Sequence, residues 1–371
     1  LQSAPLTSLI DKRKQKMRHI ALLTAMLLSS NALADGIDLG QASGYNAFVK
    51  ENFSVNSSDT EGRIAIGGNF VIDGGYDLGT KINDFGMGDG PSLVVGGNIT
   101  KSGPGNLNIY RSSTLPDPVL GDAVVGGTVT GGPIDAGVIT ENSNTLPVNF
   151  DSAFDHLSSL SQQLAARTAT PATNSGWKLD FVPDGDAPAD NVYVFNVDEA
   201  LFKNQWNGIR TDWHLDISSM SPNATVVFNI VDSNGDSVID FTQANIFLNG
   251  NNPLSDYFNK GLPNGQPPVQ VLYNFHGANT LNITSDLYGT ILAPQANIFS
   301  DSMVYGQVIG NAWTGNGQIN YNPFVPVEPP TTPVSEPGML AMFLAALIVM
   351  AIRRRKRALF SDKGTAQLSF A

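Results

Sequence analysis

Short apolar runs punctuated by glycine set the pattern of this chain. Ile64-Ala65-Ile66-Gly67-Gly68-Asn69-Phe70 is echoed by Leu93-Val94-Val95-Gly96-Gly97-Asn98-Ile99, and again by Ala123-Val124-Val125-Gly126-Gly127-Thr128-Val129. The glycine pairs lie 29 and 30 residues apart. Each unit reads as a short β-branched strand, a Gly-Gly bend and a second short strand. A period of 20–50 residues with one such unit per turn marks a repeat architecture. Short strands with glycine corners predict a β-solenoid, in which each coil buries its apolar face against its neighbours. The competing reading is a set of unrelated hairpins in a sandwich.

One segment follows a helical period instead. Between Asn149 and Arg167, Phe150, Phe154, Leu157, Leu160 and Leu164 recur at three- and four-residue steps, with Ala153 alongside. That places one apolar stripe along a helix of about residues 150–167. Asn149 or Asp151 is the expected cap. Pro171 cannot continue the helix, and Thr170 before it is pushed toward extended geometry. The stripe needs a partner, and an open flank of the solenoid is the expected one.

Strands then resume at 191–197, 225–231 and 270–275. A second repeat-like pair, Tyr288-Gly289-Thr290-Ile291-Leu292-Ala293 and Tyr305-Gly306-Gln307-Val308-Ile309-Gly310, is spaced by 17 residues. The shorter spacing predicts unequal coils.

The ends have a different character. Lys12, Arg13, Lys14, Lys16 and Arg18 precede the apolar run Ile20 to Leu28, and Ala32-Leu33-Ala34 follows. Basic region, short apolar region and small-x-small site are the parts of a secretion signal, with cleavage after Ala34 and Met17 read as the start. At the other end, a proline-rich stretch over 325–337 leads into fifteen uncharged residues, Gly338 to Ile352, and then Arg353-Arg354-Arg355-Lys356-Arg357. As a helix those fifteen residues would reach only ~22 Å, short of a ~30 Å hydrocarbon core without flanking help. The cationic cluster favours the cytoplasmic side.

Val334-Ser335-Glu336-Pro337, the apolar segment and the basic cluster together resemble the PEP-CTERM sorting signal of Gram-negative, exopolysaccharide-producing bacteria. Ser335 stands where the family's Pro-Glu-Pro has its first proline, and a tail, 358–371, follows the cluster. The resemblance implies processing by an exosortase-type membrane enzyme. An ordinary single-pass membrane anchor is the alternative. Either way the body is expected outside the cytoplasm, at the cell surface, outer membrane or extracellular matrix.

Charge sharpens this picture. Between the two ends the chain keeps ten Lys and Arg against 31 Asp and Glu, and it has no cysteine. So acidic a body excludes nucleic-acid binding by counterion release, which needs clustered cations. An exported fold without cysteine is not held by disulfides. At about 300 residues the body is long enough to bury a core without them.

The body resembles the choice-of-anchor A domain of bacterial surface proteins. The resemblance is carried by Tyr45-Asn46-Ala47-Phe48-Val49 and by Ser58-Asp59-Thr60-Glu61-Gly62-Arg63 running into Gly67-Gly68-Asn69. Further on it is carried by Gly289-Thr290-Ile291-Leu292-Ala293-Pro294-Gln295-Ala296, by Gly306 to Gly310, and by the closing Gln318-Ile319-Asn320-Tyr321-Asn322-Pro323-Phe324. It implies an all-β, right-handed β-solenoid or β-helix-like adhesive domain over 36–324 with one companion helix, similar in outline to ice-binding β-helical domains. It brings no catalytic residues.

The expected organisation is therefore a signal peptide (1–34), the solenoid (36–324), a linker (325–337), a hydrophobic sorting helix with its basic cluster (338–357) and a tail (358–371). The expected partners are an extracellular matrix polymer or cell-surface ligand, the processing enzyme, and the membrane through the C-terminal helix. Asp59, Thr60, Glu61, Gly62, Arg63, Gly67 and Gly68 are read as structural, with Arg63 pairing Asp59 or Glu61. Asp232, Asn234 and Asp236 place oxygens at alternate positions, as Ca²⁺ ligation favours. Gln243 stands where an EF-hand loop has its closing Glu, and Asn234-Gly235 between strands reads more simply as a hairpin turn. No cofactor is otherwise expected. His156, His214 and His276 lack metal-ligand spacing, and no nucleophile elbow or phosphate loop is present.

The leading function is a non-catalytic adhesion or biofilm-matrix protein binding through a broad solenoid face. An ice- or crystal-binding protein is the first alternative. Thr100, Thr128 and Thr130 alone do not supply a regular threonine ladder. A polysaccharide-active β-helix enzyme is the second.

Overall fold

Each apolar run of the repeat forms a strand that pairs with its echo. A computed structural model describes residues 36–175, 177–185, 187–203, 212–242, 246–250, 252–258 and 268–325. In it, strand Ile64–Ile66 pairs in parallel with Leu93–Val95, which pairs with Ala123–Val125, residue for residue. The period seen in the sequence is thus the length of a solenoid coil. The glycine pairs let coils stack at a tight corner. A Cβ on Gly96 would lie 2.1 Å from the Gly67 carbonyl oxygen, and one on Gly67 would lie 2.1 Å from that of Lys50. No side chain fits there.

Beside that corner runs an amide ladder. Asn52 Oδ1 accepts the Asn69 N–H at 2.8 Å, Asn69 Oδ1 accepts that of Asn98 at 2.9 Å, and Asn98 Oδ1 accepts that of Thr128 at 2.9 Å. The Asn of the repeated Gly-Gly-Asn therefore satisfies a backbone donor of the following coil.

The order of coils differs from the order of the chain. Ala47–Val49 lies mid-stack, against Ile64–Ile66 on one side and Val308–Gly310 on the other. From there the chain winds outward to Ile139–Thr140, which pairs with Ala123–Val125. The long helix Phe150–Ala165 follows. The chain then winds in from the opposite end through Thr170–Pro171, Val192–Asp198, Ala224–Val231, Val269–Asn274 and Thr290–Ser300. The last of these pairs with Val308–Thr314, and Leu292 sits opposite Ile309 at the shorter, 17-residue step.

Two buried amides close the seam where the halves meet. Asn46 Nδ2 donates to the Gly306 carbonyl at 2.8 Å, and its Oδ1 accepts the Gly62 N–H at 3.0 Å. Gln307 Nε2 donates to the Tyr45 carbonyl at 2.7 Å, and its Oε1 accepts the Phe324 N–H at 3.2 Å.

The seam-bearing face is buried on both sides, which accounts for its unbroken apolar strands. Ala47, Val49, Ile64 and Ile66 point into the core, while Phe48, Ala65 and Val94 point outward against the helix. Phe48 stacks on Phe150 and Phe154 with ring centroids 5.6 and 5.4 Å apart. Phe154, Leu157 and Leu164 are buried at the predicted spacing, and Asn149 is the cap, accepting the Ser152 N–H at 3.1 Å. The helix stops at Ala165 rather than near residue 167. Arg167 turns away to pair with Asp190 beside the strand Val192–Asp198. Farther along, Asn274 Nδ2 donates to the Ser161 carbonyl at 2.9 Å, and Asn229 Nδ2 to that of Leu164 at 2.9 Å.

Among the described residues, no helix is long and apolar enough to cross a membrane. Ala32 and Ala34, the motif Val334, Ser335, Glu336 and Pro337, and the cluster Arg353, Arg354, Arg355, Lys356 and Arg357 lie outside the described residues.

Candidate functional site

Three strips of strands wrap the core. One carries the helix. A second contains Ser58–Thr60, Tyr76–Leu78 and Leu107–Ser112, and on it lies the polar cluster seen in the sequence. Each member of that cluster is engaged in holding a coil. Thr60 Oγ1 and the buried Tyr76 hydroxyl are 2.6 Å apart, and burial holds the Tyr76 pKa above the ordinary tyrosine range. A Cβ on Gly62 would lie 2.7 Å from the Asn46 Cβ. Glu61 pairs with Lys81 and accepts the Tyr321 N–H at 2.8 Å.

Arg63 pairs with neither Asp59 nor Glu61, contrary to expectation. Its guanidinium donates to the Gly88 carbonyl, which Arg111 Nη2 also reaches at 2.7 Å. The loop between Leu78 and Leu93 folds over the Arg63 side chain, and that loop rather than a neighbouring carboxylate supplies the acceptor. Burial, then the charge of Arg111, lowers the Arg63 pKa.

Asp59 lies in register with Asp77, and Asp77 with Asn108. Asp59 accepts from Gln318 Nε2 at 3.0 Å. Its pKa is pushed up to about 6, chiefly by burial, with Glu61 and Asp77 adding to the shift against Gln318 and Lys81.

The calcium-loop candidate resolves differently from the hairpin expectation. Strands Ala224–Val231 and Val238–Phe241 do not pair with each other; they pair with Val269–Asn274 and Thr280–Ile283 of the following coil. Residues 232–237 thus turn a solenoid corner. Asp232 accepts the N–H groups of Gly235 and Ser237 at 2.8 and 2.7 Å. Asn234 accepts that of Asp236, and Asp236 that of Val238, each at 2.8 Å. These oxygens are committed to backbone turns. Among the described residues, no group of three or more His, Cys, Asp or Glu is arranged to hold a metal ion.

The remaining strip has an open outer surface. Its strands are Val238–Phe241, Thr280–Ile283, the second halves of Thr290–Ser300 and Val308–Thr314, then Phe53–Val55, Phe70–Asp73, Ile99–Ser102 and Val129–Gly131. Side chains alternate along each strand, so every second residue points outward. The register aligns those outward residues in one row: Asp240, Asn282, Phe299, Thr314, Ser54, Val71, Thr100 and Thr130. At roughly 4.8 Å per strand the row runs about 34 Å. Phe299 is 44% exposed and Val71 38%, and the hydroxyls of Thr100 and Thr130 are 3.5 Å apart.

Sequence reasoning found only two members of this row. Ser54, Thr314 and Phe299 lie in coils without the Gly-Gly signature, and only the register brings them into line. Thr128 falls instead on the flanking amide ladder. With Asp240 at its end as the one ionisable member, the row is otherwise uncharged. It offers a long strip of small hydroxyl, aliphatic and aromatic groups with amides at its margin.

A family model described as "Putative Ice-binding-like adhesive domain" matches residues 38–321. The chain belongs to this ice-binding-like adhesive family. The matched span runs from the residue before Leu39 to the last strands of the seam, so the adhesive domain comprises the whole described solenoid and its helix. Solved structures similar to it include an ice-binding protein from the Antarctic ascomycete Antarctomyces psychrotrophicus. That likeness is at 13% identity and a TM-score of 0.30, covering 77% of this chain and 98% of that one. An ice-binding protein from an Antarctic biological consortium is similar at 11% identity and a TM-score of 0.27, covering 77% and 89%. No curated protein matches.

Proposed function

We propose that this chain is an exported, surface-anchored bacterial adhesion or biofilm-matrix protein, non-catalytic, which binds through the open row from Phe299 to Thr130. The alignment of that row carries the reading. It is the long outward surface that neither the helix nor the loop between Leu78 and Leu93 covers, and membership of an adhesive family supports it. Export and anchoring rest on the sequence of the two ends, where the signal and the PEP-CTERM-type motif with its exosortase-type processing are expected. A flat strip binds by summing many weak contacts over area rather than by one deep pocket. A charge placed on the row should therefore disrupt it. Cells displaying the Thr100→Glu chain should lose most of the matrix attachment given by the wild-type chain. Undiminished attachment would refute the reading.

Ice binding is the second reading, and one observation favours it. Thr314, Ser54, Thr100 and Thr130 put four hydroxyls on the row, more than the repeats alone announced. Growth of ice crystals in the purified protein tests it. Faceted crystals with the wild type and rounded ones with Thr100→Glu would favour ice over matrix.

A further inference from the structure

The geometry points to neutral polysaccharide as the ligand class of the open row, a step that rests on the adhesive reading above. The argument begins with charge. The body carries 31 acidic residues against ten basic ones, yet six consecutive positions, Phe299, Thr314, Ser54, Val71, Thr100 and Thr130, are uncharged. One margin is acidic. Asp73 lies two residues beyond Val71 on the same side of its strand, Asp301 follows the end of the strand that carries Phe299, and both are exposed. Lys101, the cation nearest in sequence to Thr100, is buried with its ammonium on the carbonyls of Ser102 and Gly103 at 2.6 and 3.2 Å. An anionic polymer would therefore meet repulsion at the margin and no free cation on the row.

Side-chain chemistry narrows the class further. A neutral sugar ring presents C–H groups on its faces and hydroxyls, each both donor and acceptor, around its edge. Phe299 and Val71 supply apolar contact at two separated points, with hydroxyls between and beyond them. On one flank, Asn69 and Asn98 spend Oδ1 on the next coil's N–H, and their Nδ2 groups make single long contacts of 3.2 and 3.4 Å. Each amide thus keeps an N–H for an outside acceptor. The mixture also separates a polymer from a crystal surface. A regular crystal surface is matched best by an evenly repeated group, whereas the row runs phenyl, two hydroxyls, isopropyl and two hydroxyls. A chain of linked rings can place its own faces and edges to suit.

The test is retention of the full-length chain on cellulose and chitin beads, with alginate beads as the anionic counterpart. Retention on at least one neutral polymer is expected, with at least tenfold less on alginate and at least tenfold less for Thr100→Glu on the neutral beads. Circular dichroism establishes that the variant folds, and Val71→Asp serves as a second variant if it does not. Retention on alginate equal to that on the neutral beads overturns the proposal, as does wild-type retention by both variants. If cellulose and chitin retain nothing while Thr100→Glu still abolishes matrix attachment, the glycan assignment falls and the adhesive face stands. If the substitution leaves attachment unchanged, both fall.

Discussion

Replacing Asp59 with Asn should stabilise the protein at neutral pH and not in acid. Asp59 sits in register beside Asp77, half-buried, and burial is the main cause of a pKa raised from 3.8 to about 6. A raised carboxylate pKa means that the folded state binds the proton more tightly than the unfolded one. Stability therefore falls as pH rises from about 4 to about 6 and is flat above that. A shift of two units corresponds to ~3 kcal/mol at most. Because water reaches part of the side chain and screens the charge, ~1–2 kcal/mol is the reasonable expectation. Asn keeps the shape and can still accept from Gln318, but it cannot ionise. Urea unfolding of both chains at pH 4 and pH 7 measures the effect. The midpoints should coincide at pH 4 and separate at pH 7 with Asp59→Asn the more stable, at unchanged m. A wild type more stable than the variant at pH 7 would refute the reasoning, since it would mean that Lys81 and Gln318 outweigh burial.

Other outcomes follow from the packing. Gly96→Ala drives a Cβ against the Gly67 carbonyl, so the coils must part. A loss of ~1–3 kcal/mol in chemical unfolding is expected, and a neutral result would mean the corner is looser than described. Phe48→Ala removes the ring between Phe150 and Phe154 and should cost ~3–5 kcal/mol. Thermal melts followed at 222 nm would reveal it, and a small change would indicate that the helix is held by its polar contacts to Asn229 and Asn274 instead. Incubation with matrix polysaccharides should release no reducing ends or unsaturated sugars. Release abolished by Asp59→Asn or Asp77→Asn would turn the protein into an enzyme and locate its acid on the Asp59 face.

Features that depend on local physics were legible in the chain. The Gly-Gly period disclosed the coil, because a Cβ at those corners has nowhere to go. The stripe from Phe150 to Leu164 disclosed the helix and the need for a covering partner. Features that depend on which coil lies next were not legible. Ala47–Val49 and Val308–Gly310 are adjacent strands, yet more than 250 residues separate them, and only the buried amides Asn46 and Gln307 mark the join. The first rung of the asparagine ladder, Asn52, follows Lys50 and Glu51 rather than a glycine pair. Asn234-Gly235 announces a turn but not its partner, and in a solenoid a turn leads to another face of the same coil rather than back along the strand. Nearness in sequence favours a carboxylate partner for Arg63, whereas the loop that supplies its acceptor lies 25 residues away. The open row is hidden for the same reason, since its members come from both halves of the chain.

The most direct test of the open face uses the absence of native cysteine. A single Thr100→Cys thiol stands on the row, and a single Asp155→Cys thiol stands on the exposed side of the covering helix. Maleimide labelling of each chain is measured free and bound to matrix. Binding should slow labelling at Thr100→Cys at least tenfold and leave Asp155→Cys unchanged. Protection at Asp155→Cys with none at Thr100→Cys would contradict the account.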